Sequence, residues 1–386
     1  MDRYVVIHYG EIALKGKNRH FFEQRLQDNV AARVAGLDTG RVKWRHGRFL
    51  VPLHKGTDEQ RVVERLRTVP GIVYFALARA VPCDVEALAS AVVEHLPTGD
   101  YPSFKIDTRR ADKAFPLTSP QVNEIVGAQV QEATGWAVDL SNPALTVHVE
   151  ILAREILFYS ERIEGIGGLP VGVSGTVGLL MSGGIDSPVA AYYALKRGCT
   201  TLPIHFHSGP FGQWIDSERK VRRLVQALQP YGLSDRYYVV PIGELQREIV
   251  VDAPAPVRIL LYRRLMFRIA QVLTLREGGL ALVTGENLGQ VSSQTLESLR
   301  AIEIVTDLPV LRPLIGFDKV EIMDQARLIG TYDISIEAHD DCCQFLVPRQ
   351  VVTRPSVAEV DNAEANLDIE HLVSAGIESA QLNRIT

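Results

Sequence analysis

A glycine-centred turn between an apolar strand and a helix is the segment of the sequence best suited to bind an anion. Apolar residues 179–181 run into the string SGGIDS at 182–187, and Pro188 follows, where a first helical turn tolerates a missing amide proton. The glycines let the backbone approach a ligand closely, and the free N–H groups and dipole at a helix start attract negative charge. The spacing therefore predicts a phosphate-binding loop.

The loop has no lysine after its glycines, although the Walker A pattern GxxxxGK[ST] requires one for the β and γ phosphates. It resembles instead the SGGxDS pyrophosphate loop of the ATP pyrophosphatase superfamily, whose members cleave ATP between the α and β phosphates and adenylate a carbonyl oxygen. On that resemblance Ser182 and Ser187 bind pyrophosphate oxygens, and Asp186 holds Mg²⁺ or orients the loop. The alternative is a tight turn in an α/β domain that binds no nucleotide.

Three further segments supply polar or aromatic groups for the same site, because ligands of open α/β sheets bind at the carboxyl ends of strands. His205 and Phe206 close a predicted strand, where an aromatic ring can cover adenine and core packing is the alternative for the imidazole. The string TGENLGQVSSQT at 284–295 closes a later strand with amides and hydroxyls. Arg263 or Arg264, on a predicted helix, could reach a phosphate.

Adjacent cysteines, Cys342 and Cys343, follow two aspartates near the end of the chain. Carboxylates raise the pKa of a neighbouring thiol, so reactivity here requires a cation, with Arg349 and Arg354 as candidates, or a persulfide. No CxxC spacing or Cys/His cluster accompanies the pair, which argues against zinc and against a self-contained iron–sulfur cluster. The pattern favours chemistry over core packing.

The helices and strands that must position these residues follow two patterns, one in each half of the chain. Residues 1–164 mix strands and helices in an α+β pattern typical of a mixed sheet with helices on one side. Predicted strands are 4–8, 42–53, 73–80, 103–108, 145–152 and 155–164, and predicted helices are 18–35, 59–67, 84–95 and 119–134. The glycine-rich run 165–173 is the predicted boundary.

Beyond that boundary strands alternate with helices, which indicates a parallel α/β sheet. Predicted strands are 176–181, 200–206, 236–240 and 280–284, and predicted helices are 188–197, 215–229, 257–276 and 318–329. Residues from 356 onward are expected to form an amphipathic helix pair or a mobile tail.

Composition limits the class of protein. The chain has 386 residues, enough for two or three domains, and a net charge of −5, which excludes a small, generally basic nucleic-acid binder. Residues 1–110 nevertheless hold 18 basic and 13 acidic side chains, so the front of the chain is basic. Four cysteines and no apolar run of membrane-spanning length predict a cytoplasmic protein, with Cys83 and Cys199 as core residues.

In this order the motifs resemble the tRNA 4-thiouridine synthase (tRNA sulfurtransferase) family over essentially the whole chain. The matching strings are YGEIALKGKNR at 9–19, LLMSGGIDSPVA at 179–190, HFHS at 205–208, TGENLGQVSSQT at 284–295, RPLIGFDKVEI at 312–322 and DDCCQF at 341–346. The resemblance implies three domains: an N-terminal ferredoxin-like domain at 1–57, a THUMP domain at 58–168, and a catalytic pyrophosphate-loop domain at 172–386.

The resemblance implies an enzyme that adenylates the O4 atom of uridine 8 in tRNA with ATP and Mg²⁺ and then replaces that oxygen by sulfur. Cys343 is the implied sulfur-bearing residue, with Asp186 and Ser182 as the other catalytic residues and no metal site built from protein ligands alone. The implied nucleotide contacts are Leu180, Met181, Ser182, Gly183, Gly184, Asp186, Ser187, His205, Phe206, Arg263, Gly285 and Gln294.

The implied partners are tRNA and a sulfur donor, and a homodimer is the family expectation. The cations expected to contact tRNA are Lys15, Lys17, Arg19, Arg109, Arg110 and Lys113. The chain ends about forty residues after Cys343, so no rhodanese domain is expected, and a cysteine desulfurase or a separate rhodanese-type protein would donate the persulfide. A role in making the thiazole of thiamine belongs to the family as well.

Two alternatives remain from the sequence. One is another pyrophosphate-loop enzyme, such as a different tRNA thiolase or an ammonia-dependent ligase, although the N-terminal half argues against a ligase. The other is a tRNA-binding THUMP protein whose ATP domain is inactive, which the intact SGGIDS string and Cys343 disfavour.

Overall fold

A computed structural model describes residues 1–211, 214–337 and 351–385. The chain divides into two compact units, residues 1–169 and residues 170–386. The division falls within the glycine-rich run that the sequence marks as a boundary. Within the described residues, no helix is long and apolar enough to cross a membrane.

The first unit is built on one sheet. Its strands are β1 (Asp2–His8), β2 (Lys43–Arg45), β3 (Arg48–Leu53), β4 (Tyr74–Val81), β5 (Ser103–Arg110), β6 (Ala137–Val138), β7 (Leu145–Ile151), β8 (Ile156–Tyr159) and β9 (Ile163–Glu164). The strand order is β2-β3-β1-β4-β8-β7-β5-β6, and β9 pairs with β4. Strands from the predicted ferredoxin-like and THUMP regions therefore hydrogen-bond into a single sheet.

Helices pack on one face of that sheet, as the α+β pattern predicts. They are α1 (Arg19–Val34), α2 (Glu59–Leu66), α3 (Val85–Glu94) and α4 (Ser119–Thr134). Because side chains alternate along a strand, Val5 and Ile7 of β1 pack in the core with α1 and α2, while Val6 between them belongs to a separate cluster on the other face. Cys83 is exposed, so its predicted core position is wrong.

The second unit contains the parallel sheet. Its strands are β10 (Thr176–Leu180), β11 (Thr200–His207), β12 (Arg236–Pro241), β13 (Ala281–Val283), β14 (Val310–Leu311) and β15 (Gln381–Arg384). The order is β14-β13-β10-β11-β12-β15, and every pair is parallel except β12 with β15. This agrees with the predicted α/β class.

The helices of the second unit form two groups. They are α5 (Asp186–Lys196), α6 (Trp214–Leu228), α7 (Gly243–Asp252), α8 (Arg258–Arg276), α9 (Leu296–Glu303), α10 (Lys319–Leu328), α11 (Tyr332–Ser335), α12 (Val357–Glu364) and α13 (Ile369–Glu378). Strands β10, β11 and β12 follow one another in one direction across the sheet, and their right-handed crossovers place α5 and α6 on one face. The chain then returns to β13 on the other side of β10, so the crossover helix α8 lies on the opposite face. The helix pair expected at the end of the chain is α12 and α13, and the strand β15 that follows them was not predicted.

Helix α8 is the centre of the larger core. Eleven of its residues are buried, and nine of them form one cluster with Ile204 and Phe206 of β11, Leu282 of β13 and Leu372 of α13. Burial of this helix keeps the middle strands in a fixed position, since closely packed interiors resist displacement. The carboxyl ends of β10, β11 and β13 are therefore a rigid frame for the residues that follow them.

Candidate nucleotide site

The chain changes direction across the sheet at β10. It proceeds from β10 to β11 and β12 on one side and later returns to β13 on the other side. Open α/β sheets bind ligands in the crevice outside the strand ends at such a switch point. The residues just after the two central strands, Met181 and Thr284, line the same pocket.

The loop after β10 is held closed by Ser187. Its hydroxyl lies 3.0 Å from the Ser182 amide nitrogen, 3.1 Å from the Ser182 carbonyl oxygen and 3.1 Å from the Ser182 hydroxyl. Ser187 is buried, whereas Ser182 is exposed. Ser187 thus shapes the loop, while Ser182 presents its hydroxyl to solvent beside the first turn of α5, where helical N–H groups have no intrahelical acceptor.

Gly285 brings the strand end β13 against this loop. A Cβ atom added at Gly285 would lie 2.7 Å from the Ser187 backbone nitrogen and 2.8 Å from the Asp186 carbonyl carbon. Both neighbours are backbone atoms, which cannot move away as the end of a long side chain can. The close approach is therefore available to glycine alone.

The pocket at this switch point has a volume of about 360 Å³. One wall is apolar and includes Ile204, Phe206, Met266 and Phe267, and the rest of the lining includes the loop and the residues after β13. Such a combination of apolar walls with a few fixed polar groups is usual for sites that bind small molecules. Nine of the residues predicted to contact nucleotide line it: Leu180, Met181, Ser182, Asp186, Ser187, Phe206, Arg263, Gly285 and Gln294.

Gln294 offers the pocket an unsatisfied acceptor. Its side chain is 9% exposed, and its Oε1 atom has no hydrogen-bond partner among the described residues. A buried polar atom without a partner is costly, so such an atom in a pocket points to a ligand that supplies a donor. An exocyclic amino group such as that of adenine is a suitable donor.

His205 has a different position from the predicted one. It is 2% exposed and is absent from the pocket lining. Its Nδ1 atom lies 2.9 Å from the Met181 carbonyl oxygen, so Nδ1 carries the proton, and its Nε2 atom lies 3.2 Å from the Ser217 hydroxyl of α6. The ring therefore supports the loop from behind.

Arg263 reaches the pocket from α8 as part of a buried ionic group. Its guanidinium donates to Glu286 over 2.5 Å and to the Ser293 hydroxyl over 3.0 Å, and Arg312 donates to the second oxygen of Glu286 over 2.7 Å. Burial raises the pKa of Glu286, but the two guanidiniums outweigh that effect and hold this pKa below its usual range. Arg264, the alternative considered from the sequence, is fully buried and binds Glu364 instead.

Asp186 is paired with a cation that the sequence reasoning missed. The Lys319 ammonium of α10 lies 2.7 Å from one carboxylate oxygen of Asp186, and the Gln290 amide nitrogen lies 3.2 Å from the other. Lys319 belongs to the string RPLIGFDKVEI, which signalled the family without indicating a role for the lysine. Four apolar residues line the pocket without having been predicted: Ile204, Ile259, Met266 and Phe267. Four more belong to the predicted string 284–295 but were not singled out as contacts: Thr284, Glu286, Val291 and Ser293.

Family models match all three regions of the chain. A model described as "Thiamine biosynthesis protein (ThiI)" matches residues 172–369, the ThiI ferredoxin-like domain matches residues 4–76, and the THUMP domain matches residues 84–161. The chain belongs to the ThiI family.

Relatives of this ThiI-family chain extend over its whole length. A "Probable tRNA sulfurtransferase" of Moorella thermoacetica is 43% identical over 379 residues, covering 98% of this chain and 96% of the relative. One of Caldanaerobacter subterraneus is 41% identical over 374 residues, covering 97% of each chain. A solved structure, "Crystal structure of a 4-thiouridine synthetase - RNA complex with bound ATP", matches with a TM-score of 0.90 and 38% identity over 100% of both chains.

The cations predicted to bind tRNA in the ThiI-family chain fall into two groups. Arg19 is committed to Glu23 and Tyr9, at 2.8 Å each, and Arg110 donates to the carbonyl oxygens of Phe115 and Leu117. The Lys15 ammonium lies 5.1 Å from the centre of the Phe22 ring, and its side chain is half-buried. The exposed members of the set are Lys17, Arg109 and Lys113.

The predicted sulfur-bearing residue Cys343 and its neighbour Cys342 lie outside the described residues. Gly183 and Gly184 belong to the loop but do not line the pocket. The positions of these four residues leave their predicted roles as predictions.

Proposed function

We propose that this protein is an ATP-dependent tRNA sulfurtransferase that converts uridine 8 of tRNA to 4-thiouridine. The observation that carries the proposal is the pocket at the switch point, which joins the SGGIDS loop, Arg263 and the unsatisfied Gln294 acceptor in one cavity. A chain of the same fold, similar over its full length, is a 4-thiouridine synthetase with bound ATP and RNA. The likeness extends the proposal from nucleotide binding to tRNA thiolation.

The apolar wall and Gln294 are proposed to hold adenine, and the loop and Arg263 to hold the phosphates. Phosphate at a helix N-terminus is stabilised by unpaired N–H groups and by the helix dipole. With ATP in this orientation, the O4 atom of the target uracil attacks the α phosphorus, the bond to the β phosphate breaks, and pyrophosphate leaves. The positive groups at the loop stabilise the charge that develops on this leaving group.

Lys319 is proposed to take part in this step. Its ammonium is already at the loop, 2.7 Å from Asp186, and half of its side chain is in contact with solvent. An ammonium is a mobile point charge, so it can follow the negative charge from the α phosphate to the departing pyrophosphate. Asp186 would hold the lysine in position when no phosphate is bound.

Magnesium is proposed to accompany the nucleotide. Within the parts of the chain that are described, no group of three or more His, Cys, Asp or Glu side chains is suited to hold a metal ion. Mg²⁺ is usually bound by one or two carboxylates together with substrate phosphates. Asp186 is the carboxylate at the loop, and the ion would neutralise pyrophosphate charge as it leaves.

Sulfur transfer is proposed to use Cys343 as a persulfide. The terminal persulfide sulfur attacks C4 of the adenylated uracil and AMP leaves, so the base is joined to Cys343 through a sulfur–sulfur bond. A thiol from a separate reductant then attacks the Cys343 sulfur, which releases 4-thiouridine and leaves Cys343 in a mixed disulfide. A second thiol of the reductant then displaces Cys343 as a free thiol, and a cysteine desulfurase or a rhodanese-type protein would reload its persulfide.

The remaining parts of the proposal concern organisation. Lys17, Arg109 and Lys113 are proposed to contact tRNA phosphates, since they are the exposed members of the predicted set. The boundaries at 1–57, 58–168 and 172–386, a cytoplasmic location and a homodimer are proposed with them. A sulfur-transfer role in thiamine synthesis stays a prediction.

The deciding experiment incubates unmodified tRNA with the protein, ATP, Mg²⁺, cysteine, a cysteine desulfurase and a thiol reductant, followed by nucleoside mass spectrometry. We expect 4-thiouridine only when ATP and the protein are both present. A tRNA with uridine 8 replaced by cytidine serves as the control and should yield none. Thiolation at another uridine would identify a different tRNA thiolase, and nucleotide-independent tRNA binding without any thiolation would identify an inactive THUMP protein.

A further inference from the structure

One face of α6 links the nucleotide loop to the start of the segment that carries Cys343. Ser217 and Lys220 are three residues apart on this helix, so they lie on the same face. Ser217 binds the His205 ring, which in turn binds the Met181 carbonyl at the pocket. Lys220 binds the chain just after α11, at the last described residues before the cysteine pair.

Lys220 is almost completely buried, with an exposed fraction of 3%, which is unusual for a lysine. Its ammonium donates to the carbonyl oxygens of Ser335 and Glu337, at 2.8 Å and 2.7 Å. Burial of an ammonium is costly unless its hydrogen bonds are satisfied, so these contacts fix the backbone of residues 335–337 against α6. One turn along the helix, Arg223 adds an ion pair of 2.5 Å with the Glu337 carboxylate.

The described chain that resumes at residue 351, after the cysteine pair, is also attached beside the pocket. The Val352 amide donates to the Pro256 carbonyl over 3.0 Å, and the Thr295 hydroxyl donates to the Thr353 carbonyl over 2.7 Å. Thr295 directly follows Gln294, which lines the pocket. The chain at Val352 is therefore attached beside the pocket, while residues 335–337 are attached to α6, which reaches the pocket lining through His205.

Cys343 follows Glu337 by six positions in the sequence, so Lys220 fixes the backbone close in sequence to the residue proposed to carry the sulfur.

We propose that Lys220 is a positioning residue that couples adenylation to sulfur transfer by holding residues 335–337 on α6. This inference rests on the proposed function, because it assumes that Cys343 delivers the sulfur. If the anchor is lost, the pocket still adenylates uracil, but the persulfide arrives less often. Adenylated uracil that meets no sulfur is returned by water to uracil and AMP, so pyrophosphate release continues without product.

The test measures the ratio of pyrophosphate released to 4-thiouridine formed, in the full-length protein with tRNA, ATP, Mg²⁺, cysteine, a cysteine desulfurase and a thiol reductant. Lys220→Met keeps the length of the side chain and removes its charge. We expect the ratio to rise about tenfold or more while pyrophosphate release changes by less than about threefold, because misplacement of a reacting group by about 1 Å can cost 10²-fold. Arg222→Met, an exposed change on the same helix, is the matched control and should leave the ratio unchanged.

A purely structural role for Lys220 would lower pyrophosphate release and thiolation together, and that result would overturn the proposal, as would an unchanged ratio. If Lys220→Met does not fold, Arg223→Met at the exposed neighbouring ion pair replaces it, with an expected rise of about threefold, and an unchanged ratio there would also overturn it. Absence of 4-thiouridine with the unaltered protein would instead count against the proposed function itself.

Discussion

Two buried carboxylates, Glu150 in the first unit and Glu286 in the second, have nearly the same immediate surroundings. Each is 2% exposed, and each accepts hydrogen bonds from two basic side chains and one hydroxyl. The partners are His8, Arg48 and Tyr159 for Glu150, and Arg263, Arg312 and Thr284 for Glu286.

The two carboxylates differ in what lies next to them. Glu150 on β7 is bound by residues of β1, β3 and β8, so its network joins strands of one sheet across the predicted domain boundary. Glu286 and Arg263 line a pocket at the switch point of the parallel sheet. Paired buried charges therefore occur both between the strands of a sheet and at a pocket, and the switch point in the backbone topology accounts for the cavity beside Glu286.

The largest expected effect on activity tests the part played by the backbone. Gly285→Ala places a Cβ atom against the backbone of Ser187, so the loop must move, and kcat/KM for ATP should fall about 100-fold, as expected for a misplaced reacting group. Steady-state kinetics of pyrophosphate release measures it. Gly316→Ala is the control, since nothing lies within 4 Å of its added Cβ. Equal losses of kcat/KM in both variants would contradict the claim that the close approach of Gly285 to the loop is needed.

Glu150→Ala tests whether the first carboxylate stabilises the sheet without affecting the nucleotide site. The substitution leaves the buried Arg48 and His8 without their shared carboxylate, and loss of one partner of a buried ion pair typically costs about 3–5 kcal/mol in the free energy of unfolding. Denaturant unfolding measures this cost, and calorimetry should show an unchanged Kd for ATP. A weaker affinity for ATP in the folded variant would mean that Glu150 acts on the nucleotide site.

Glu286→Gln tests whether the second carboxylate supports nucleotide binding. Glutamine keeps the shape of the side chain but cannot pair ionically with both guanidiniums, so Arg263 loses its fixed position, and ATP affinity should fall about tenfold, equivalent to about 1.4 kcal/mol. Glu303→Gln removes the other, half-exposed partner of Arg312 and should change the affinity much less. Similar affinities for both variants would show that Glu286 has no special role in the pocket.

The smallest effect concerns tRNA binding by the first unit. Lys17 is exposed, whereas Arg19 is committed to Glu23 and Tyr9. Lys17→Ala should lower the slope of log affinity against log salt by about 0.7–0.9, the value for one lost phosphate contact, with no change in stability. Arg19→Ala should instead lower the free energy of unfolding by about 1–3 kcal/mol through its lost hydrogen bonds. Filter binding of tRNA over a salt series, together with thermal unfolding, separates the two, and the opposite assignment would contradict the distinction.

The sequence was sufficient to predict the helices and strands that have a regular hydrophobic periodicity, and it was sufficient to predict the phosphate-binding loop at 182–187. Strand β10, the SGGIDS turn and helix α5 are contiguous, so the spacing of a few residues indicated a phosphate site. Phe206, Gly285 and Gln294 were located through motifs at other strand ends, which parallel topology brings to one edge of the sheet.

Contacts between distant segments could not be predicted in this way. Lys319 reaches Asp186 from 133 positions away, and Glu150 joins Arg48 from 102 positions away, so no local spacing reveals either pair. His205 is a different case, because its ring contacts the loop rather than the cavity, so its predicted contact with nucleotide stays a prediction. Short strands such as β14 and β15 carry too few residues for a periodic signal.

The most direct test of the central claim follows the oxygen atom that sulfur replaces. If the pocket adenylates uracil O4, the oxygen leaves with AMP, so tRNA labelled with ¹⁸O at O4 of uridine 8 should give one labelled AMP for each 4-thiouridine formed. Mass spectrometry of the AMP released in a thiolation reaction measures the label. Formation of 4-thiouridine with unlabelled AMP would contradict the account.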